Sequence, residues 1–385
     1  MKSAPGRERL SRRRLLTSAA ASLAGVGLEQ GGIAQSAPRG AGAPDSVERL
    51  RHMDDLERYV AVDNKCAWPN LTPMPDGSIV ATIFGQPCHG TCEGSAECWT
   101  SRDGGKIWTF LGVPAPHESG TYRANLAAGL TPSGAFVVLC GGGKVPNPPT
   151  GDQMCCLVPL VCRSTDGGKT WTRGEGVKMP PRVNRIIPFG DIAALAGGRL
   201  AVSGYDSGDD TRNTAWVFFS DDDGRTWGDA RAIGVDDYNE TTLVTIGEGK
   251  LLAAGRTLRD EHTEIFGSED GGLTWQRRGP VSLPKECPPH LFRLRDGSIL
   301  LTYGMRLRGM LGVSARISRD GGLTWDAPRV LFSTTVRSAS TSPGGVDGGY
   351  PSSVQLQDET IVTAYYCQRI PMHQRYHMGV VLWRV

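Results

Sequence analysis

The sequence has little net charge. Its 42 Lys and Arg nearly balance 40 Asp and Glu, giving a formal charge of +2. Residues 1–36 hold six of those basic and two of those acidic residues, so without them 36 basic groups face 38 acidic ones. A balance near −2 excludes a polybasic surface for nucleic acid or anionic membrane. Long apolar runs are also missing. The longest, Leu15 to Leu28, is too short to span a bilayer, and nothing after it approaches that length. No Cys lies near Ala34-Gln35-Ser36, where a leader could be cut, so a lipid anchor is not expected. Aromatics are few at 7%. A second paired-ligand motif to accompany Cys88-His89-Gly90-Thr91-Cys92 is absent, and its residue order is wrong for haem attachment. Disulfides or buried thiols are therefore expected there rather than a metal, and no cofactor is expected.

What is abundant is turn chemistry. The chain has 51 Gly and 25 Pro in 385 residues, a composition typical of all-β proteins. Ser164-Thr165-Asp166-Gly167-Gly168-Lys169-Thr170-Trp171 recurs as Ser220 to Trp227, Ser268 to Trp275 and Ser318 to Trp325. Ser101 to Trp108 repeats it with Ile107 in place of the threonine. A repeat of roughly 50–60 residues indicates a propeller or solenoid. The Asp can accept from backbone amides a few residues on, the glycines permit positive φ, and the Trp packs beside the turn. Five copies of one residue set cannot all be active sites, whereas each can close one blade.

Each repeat is preceded by a hairpin pattern, two short apolar runs split by a turn such as Asp76-Gly77 or Asp296-Gly297. First strands are expected at Leu71–Met74, Leu126–Leu130, Ile192–Leu195, Thr242–Ile246, Leu291–Leu294 and Val354–Leu356. The sixth hairpin has no Asp repeat and only three strands, so Arg58 to Asp63 is expected to supply the fourth and leave no open edge. The expected architecture is an all-β, six-bladed β-propeller over residues 57–385. Its blades are four-stranded and antiparallel, and the N-terminal strand closes the ring.

Ahead of it, residues 1–36 read as a twin-arginine signal peptide, with Ser11-Arg12-Arg13-Arg14-Leu15-Leu16 before the apolar run, and residues 37–56 as a linker. A periplasmic or secreted location is expected, as a monomer. Ten cysteines suit an oxidising compartment. They cluster as Cys66, Cys88, Cys92 and Cys98, then Cys140, Cys155, Cys156 and Cys162, with Cys287 and Cys367 apart, and spacing does not fix the pairing.

Polar residues fall at equivalent points where inner strands would start: Asn70, Arg123, Asp191, Glu240, His290 and Tyr350, with Asp347 just before the last. His89, Arg256, Arg306 and Tyr366 stand at the ends of second strands. Six blades converging on one axis would gather them in one pocket.

The repeat is the Asp box, and the chain resembles the sialidase superfamily. Asn239-Glu240-Thr241-Thr242, with Arg256 sixteen residues after the Glu, is similar to the segment that carries that family's catalytic Glu and an arginine. Gly349-Tyr350-Pro351-Ser352-Ser353 is similar to the segment with its nucleophilic Tyr. The resemblance implies that Glu240 is the base to Tyr350, whose phenolate attacks an anomeric carbon. A phenol of pKa about 10 needs such a base near neutral pH. Arg306 or Arg308 stands where a substrate carboxylate would be bound, with Arg256 beside it. The departures are Ala67, where the third arginine of the family would stand, and a loop of residues 89–97 without the family's acid/base Asp. His89, Glu93 or Glu97 could take that role, and Arg123 could replace the missing arginine. The resemblance implies a glycosidase acting on a terminal, acidic sugar of a glycan. Two other readings stand beside it: a polysaccharide lyase using His89, His290 or Tyr350 against a uronate, and a glycan-binding propeller without catalysis.

Overall fold

A computed structural model describes residues 56–145, 156–206, 212–259, 261–307, 309–335 and 347–385. The expected signal peptide, the linker up to residue 55, Cys155 and Arg308 lie outside them. The described residues are all-β apart from one 3-10 turn, Ala196–Gly198. None of their helices is long and apolar enough to cross a membrane.

Six antiparallel sets of four strands follow one another along the chain. Their first strands are Ala67–Pro73, Leu126–Leu130, Ile186–Ala194, Tyr238–Gly247, Glu286–Arg293 and Gly348–Gln355. The second and third sets are joined by parallel pairing of Gly190 with Ala127 and Asp191 with Ala128. The sixth takes its fourth strand from Glu57–Asp63, which pairs with the C-terminal strand His377–Trp383, Arg58 opposite Val381. Each first strand packs against those of its neighbours in order, and the sixth packs against the first. The core is the apolar filling between sets, for example Leu71, Ile83, Val354, Tyr366 and Val380 in one cluster.

Local chemistry explains the turns. In the Asp76-Gly77 and Asp296-Gly297 hairpins the carboxylate accepts from the backbone N–H and hydroxyl of Ser78 and Ser298, and both glycines sit at φ above 80°. In every Asp box the Ser hydroxyl accepts from the N–H of the glycine four residues on, as Gly168 to Ser164 at 2.8 Å, and the Asp accepts from the N–H four residues on, as Thr170 to Asp166 at 2.9 Å.

Five first strands begin earlier than the sequence pattern indicates, at Ala67 rather than Leu71, Ile186 rather than Ile192, Tyr238 rather than Thr242, Glu286 rather than Leu291 and Gly348 rather than Val354. The reason is a break in register. Five of the six first strands carry an irregularity near their start: between Ala67 and Asn70, Phe189 and Ala193, Tyr238 and Thr241, Glu286 and Pro289, and Gly349 and Ser352. A bulge releases residues from the ladder and re-aims their side chains. Pro69, Pro288 and Pro351 lie in three of these breaks, where a missing N–H costs no ladder bond.

Candidate active site

The released residues are the chemically interesting ones. Trp68, Asn239-Glu240 and Tyr350 all lie within register breaks. Ala67, Trp68 and Tyr350 have φ of 71°, 47° and 52°. Non-glycine residues keep such backbone only when their surroundings impose it, and such positions concentrate at functional sites.

Tyr350 donates its hydroxyl to Glu240, whose carboxylate is buried. The other Glu240 oxygen accepts from Arg256 Nη1 at 2.7 Å. Arg256 Nη2 donates to Glu261 at 2.8 Å, and Glu261 also pairs with Lys285. Burial pushes the Tyr350 phenol well above its ordinary range, and the Glu240 charge adds to that push while Arg306 and Arg256 oppose it. The resting phenol is therefore protonated with a carboxylate in place to take its proton. For Arg256 burial is the largest influence and disfavours the charge, but Glu240, Cys287 and Tyr350 together outweigh it and raise the pKa.

Arg306 lies over the same ring, its guanidinium carbon 5.1 Å from the Tyr350 centroid, and Nε donates to Gly348 O at 3.0 Å. Its Nη2 is buried without a hydrogen-bond partner, as are Arg256 Nε and Trp68 Nε1. A buried donor left unpaired costs roughly 1–3 kcal/mol, so three around one tyrosine mark a place where a ligand would supply acceptors.

Asp347 was legible in the sequence only as a neighbour of Tyr350. The structure makes it a hub. It is 3% exposed; its Oδ1 accepts from Tyr366 at 2.7 Å, while its Oδ2 accepts from Tyr376 at 3.1 Å and lies 2.5 Å from His89 Nδ1. Burial alone would raise its pKa, yet the bond and charge of His89, with Arg306 and Tyr366, hold it below the usual carboxylate value. Cys66, His89 and Asp347 bring one possible ligand atom each within 4.8 Å, a set whose types could hold a metal ion. The His89 ring stands edge-on to Trp68 at 4.8 Å, and Trp68 is 6.5 Å from Tyr350. The two cysteines that flank His89, Cys88 and Cys92, form a disulfide, while Cys66, Cys98, Cys140, Cys162, Cys287 and Cys367 are buried thiols.

Other expected residues are placed differently. Asn70, Asp191 and His290 bind one another: Asn70 Nδ2 donates to Asp191 at 2.8 Å, and His290 Nε2 is 3.0 Å from the second Asp191 oxygen. His290 Nδ1 accepts from Ser353 N at 3.3 Å, so both its nitrogens are engaged in a buried link among the first, third, fifth and sixth sets. Asn70 and His290, with Gly190, Trp68 and Tyr350, line one small cavity. Arg123 is buried, but its guanidinium donates to Val158 O at 3.0 Å and reaches Glu118 at 3.4 Å. Glu93 is half exposed and accepts from Gly120 N, and Glu97 pairs with Lys65 at 2.9 Å. None of these three touches the Tyr350 group through a hydrogen bond among the described residues. Three larger cavities, about 540, 440 and 660 Å³, lie at Asp-box turns around Asp270, Asp103 and Asp222 and are more open, without the convergent reactive groups seen here.

With this geometry in hand, likeness to known proteins is informative. Residues 144–363 match the BNR repeat-like domain family. A sialidase from Micromonospora viridifaciens is 27% identical over 407 aligned positions, covering 90% of this chain and 58% of that protein. This chain thus spans little more than half the length of that relative. Among solved structures, a protein of unknown function from Dyadobacter fermentans superposes with a TM-score of 0.65 at 24% identity, covering 85% of this chain and 97% of that one. Trypanosoma rangeli sialidase in complex with the inhibitor DANA superposes with a TM-score of 0.59 at 16% identity, covering 84% and 55%. At such identities the likeness is one of fold. The repeat pattern, the all-β sets and the family match together place the chain in the BNR repeat-like domain family, within the sialidase superfamily.

Proposed function

We propose that the six sets close into one six-bladed propeller, and that this protein is an exo-acting glycoside hydrolase that removes a terminal sugar from a glycan. The order of contacts among first strands supports the closure, with the sixth set meeting the first. The observation that carries the activity is the Tyr350–Glu240–Arg256 chain, assembled from two sets 110 residues apart in sequence. In this reading Glu240 takes the Tyr350 proton as the phenolate oxygen attacks the anomeric carbon. Arg256 steadies Glu240, and the phenolate meets an electrophile without a full negative charge having been stored beforehand. Arg306, with its unpartnered Nη2, offers a hydrogen bond to an acidic group on the sugar. His290 does not fit a lyase base, because both its nitrogens are engaged.

The test is a panel of aryl glycosides that includes N-acetylneuraminic and glucuronic acid. One sugar should be released by the wild type. Tyr350→Phe and Glu240→Gln should each lower kcat by about 10²–10⁴ with melting temperature unchanged. Products with a new carbon–carbon double bond would make it a lyase. Binding without turnover, indifferent to Tyr350, would make it a glycan-binding protein.

Residues 1–36 fit an export signal of the twin-arginine type, and the Cys88–Cys92 disulfide suits an oxidising destination. Lysine at both Arg12 and Arg13 should leave unprocessed protein in the cytoplasm, and normal export of that variant would refute the route.

A further inference from the structure

Cleaving a glycosidic bond needs a proton for the departing oxygen as well as a nucleophile. Glu240 is committed to taking a proton from Tyr350, and Arg256 and Arg306 do not give theirs up. The loop of residues 85–95 contains no Asp. Asp347 is held ionised and accepts three hydrogen bonds, so it has no proton to give. What remains beside Trp68 is His89.

We propose that His89 is the proton donor to the leaving oxygen, and that Asp347 is its positioning residue. The proposal rests on the glycosidase reading and deepens it. An ionised carboxylate only accepts, so the Nδ1 of His89, 2.5 Å away, must carry a hydrogen. Nε2 is then the nitrogen that gains and loses a proton. The His89 side chain is 36% exposed while that of Asp347 is 2% exposed, so the pair runs from buried anchor to accessible acid. His89 sits inside the five-residue ring closed by the Cys88–Cys92 disulfide, which limits how far its backbone can drift. Asp347 is itself fixed by the Tyr366 and Tyr376 hydroxyls. The charged or titratable groups facing the pair are Arg306, 4.0 Å from Asp347, the Cys66 thiol within 4.8 Å, and those two tyrosines. Trp68 touches both the His89 and Tyr350 rings, so acid and nucleophile border one aromatic wall.

The steps balance. The bond from anomeric carbon to leaving oxygen breaks, its electron pair stays on oxygen, and that oxygen takes the proton from His89 Nε2. The Tyr350 oxygen bonds to the carbon as its proton passes to Glu240. Water then attacks the carbon and gives a proton to His89 Nε2, while Tyr350 departs and regains its proton from Glu240.

The test compares two glycosides of whichever panel sugar the wild type cleaves: the 4-nitrophenyl compound, whose leaving group needs little acid help, and the benzyl compound, which needs much. His89→Gln should lower kcat by about 10²–10⁴ on the benzyl glycoside and by less than about tenfold on the nitrophenyl one. Asp347→Asn should show the same asymmetry. Imidazole ¹⁵N spectra of the full chain should show His89 with its hydrogen on Nδ1, and Asp347→Asn should release that preference. Equal losses on both glycosides, or a hydrogen on Nε2 in the neutral wild-type ring, would overturn the dyad and leave the glycosidase reading standing. Turnover indifferent to Tyr350→Phe, or none with any sugar, would remove the glycosidase reading and the dyad with it.

Discussion

The Asp-box turns and the starts of the first strands use the same residue types, carboxylates and tryptophans beside tight backbone, to opposite effect. In the boxes polar atoms find partners within four residues. Thr170, Thr226 and Thr274 donate their hydroxyls to Asp166, Asp222 and Asp270, each at 2.6 Å, and four of the five box tryptophans donate Nε1 to the glycine three residues back. At the strand starts the bonds are long-range: Tyr350 reaches Glu240 across 110 residues and His89 reaches Asp347 across 258. There Trp68 Nε1, Asn70 Oδ1, Arg256 Nε and Arg306 Nη2 stay unpartnered. A locally satisfied carboxylate makes a turn. Carboxylates and arginines satisfied from afar, with buried donors left over, make a site.

Breaking the boxes should cost stability and spare chemistry, and the largest effect is expected at Trp227, 1% exposed and packed with Val161 and Phe218. Trp227→Ala should lower unfolding free energy by about 3–5 kcal/mol, with kcat per folded molecule unchanged. Trp171, only partly buried against Phe136, should lose less, about 2 kcal/mol. Urea unfolding measures both. Loss of turnover at an unchanged melting temperature would undo the division between the two regions.

The opposite outcome is expected at the strand starts. Arg306→Met removes an Nη2 without a hydrogen-bond partner together with the Nε bond to Gly348 O, and should lower stability by only about 1 kcal/mol while weakening an acidic ligand by about 1.5–3 kcal/mol, or more than tenfold. The same magnitude sharpens the substrate. Ala67 is fully buried where the family resemblance implies a third arginine, and Arg256 already holds two carboxylates. Simple α-sialosides should therefore be cleaved poorly beside the best sugar of the panel. Efficient sialoside cleavage, lost in Tyr350→Phe, would show that Arg306 suffices for the carboxylate.

Much of this division was legible in the sequence, for a physical reason. Asp boxes and Asp-Gly hairpins are local, so their spacing displays them, and the strand from Glu57 to Asp63 stood out as an extended segment before the first hairpin. The early starts of five first strands did not, because register breaks and prolines erase the alternation that marks a strand. That Tyr350, Glu240 and Arg256 share one pocket was expected from their equivalent places in the repeat, while the pairing of Glu240 with Tyr350 came only through family resemblance. The hub at Asp347 was hidden because Asp347-Gly348-Gly349 reads as a turn, while its partners His89, Tyr366 and Tyr376 lie 258, 19 and 29 residues away.

The smallest predicted effect separates the boxes from one another. Asp270 and Asp320 are held at about 2, below the ordinary 3.8, first by the hydroxyls of Thr274 and Thr324 and then by backbone N–H groups. A carboxyl depressed in the folded state contributes stability above its unfolded pKa, about 3.9, and loses it as pH falls toward 2. Both groups are well exposed, so solvent screens the gain and each hydroxyl should contribute only about 0.5 kcal/mol. The first box is a built-in control, because Ile107 offers Asp103 its N–H but no hydroxyl. Thr274→Val combined with Thr324→Val should lower stability by about 1 kcal/mol at pH near 7, and the difference from wild type should shrink by more than half near pH 2 and vanish below it. Ile107→Thr should add about 0.5 kcal/mol near pH 7 and nothing at the acid end. Unfolding curves at the two pH values decide it. A deficit in the double valine variant that persists into acid would mean that the threonines act through packing, and the boxes would then lose their claim to be held by charge.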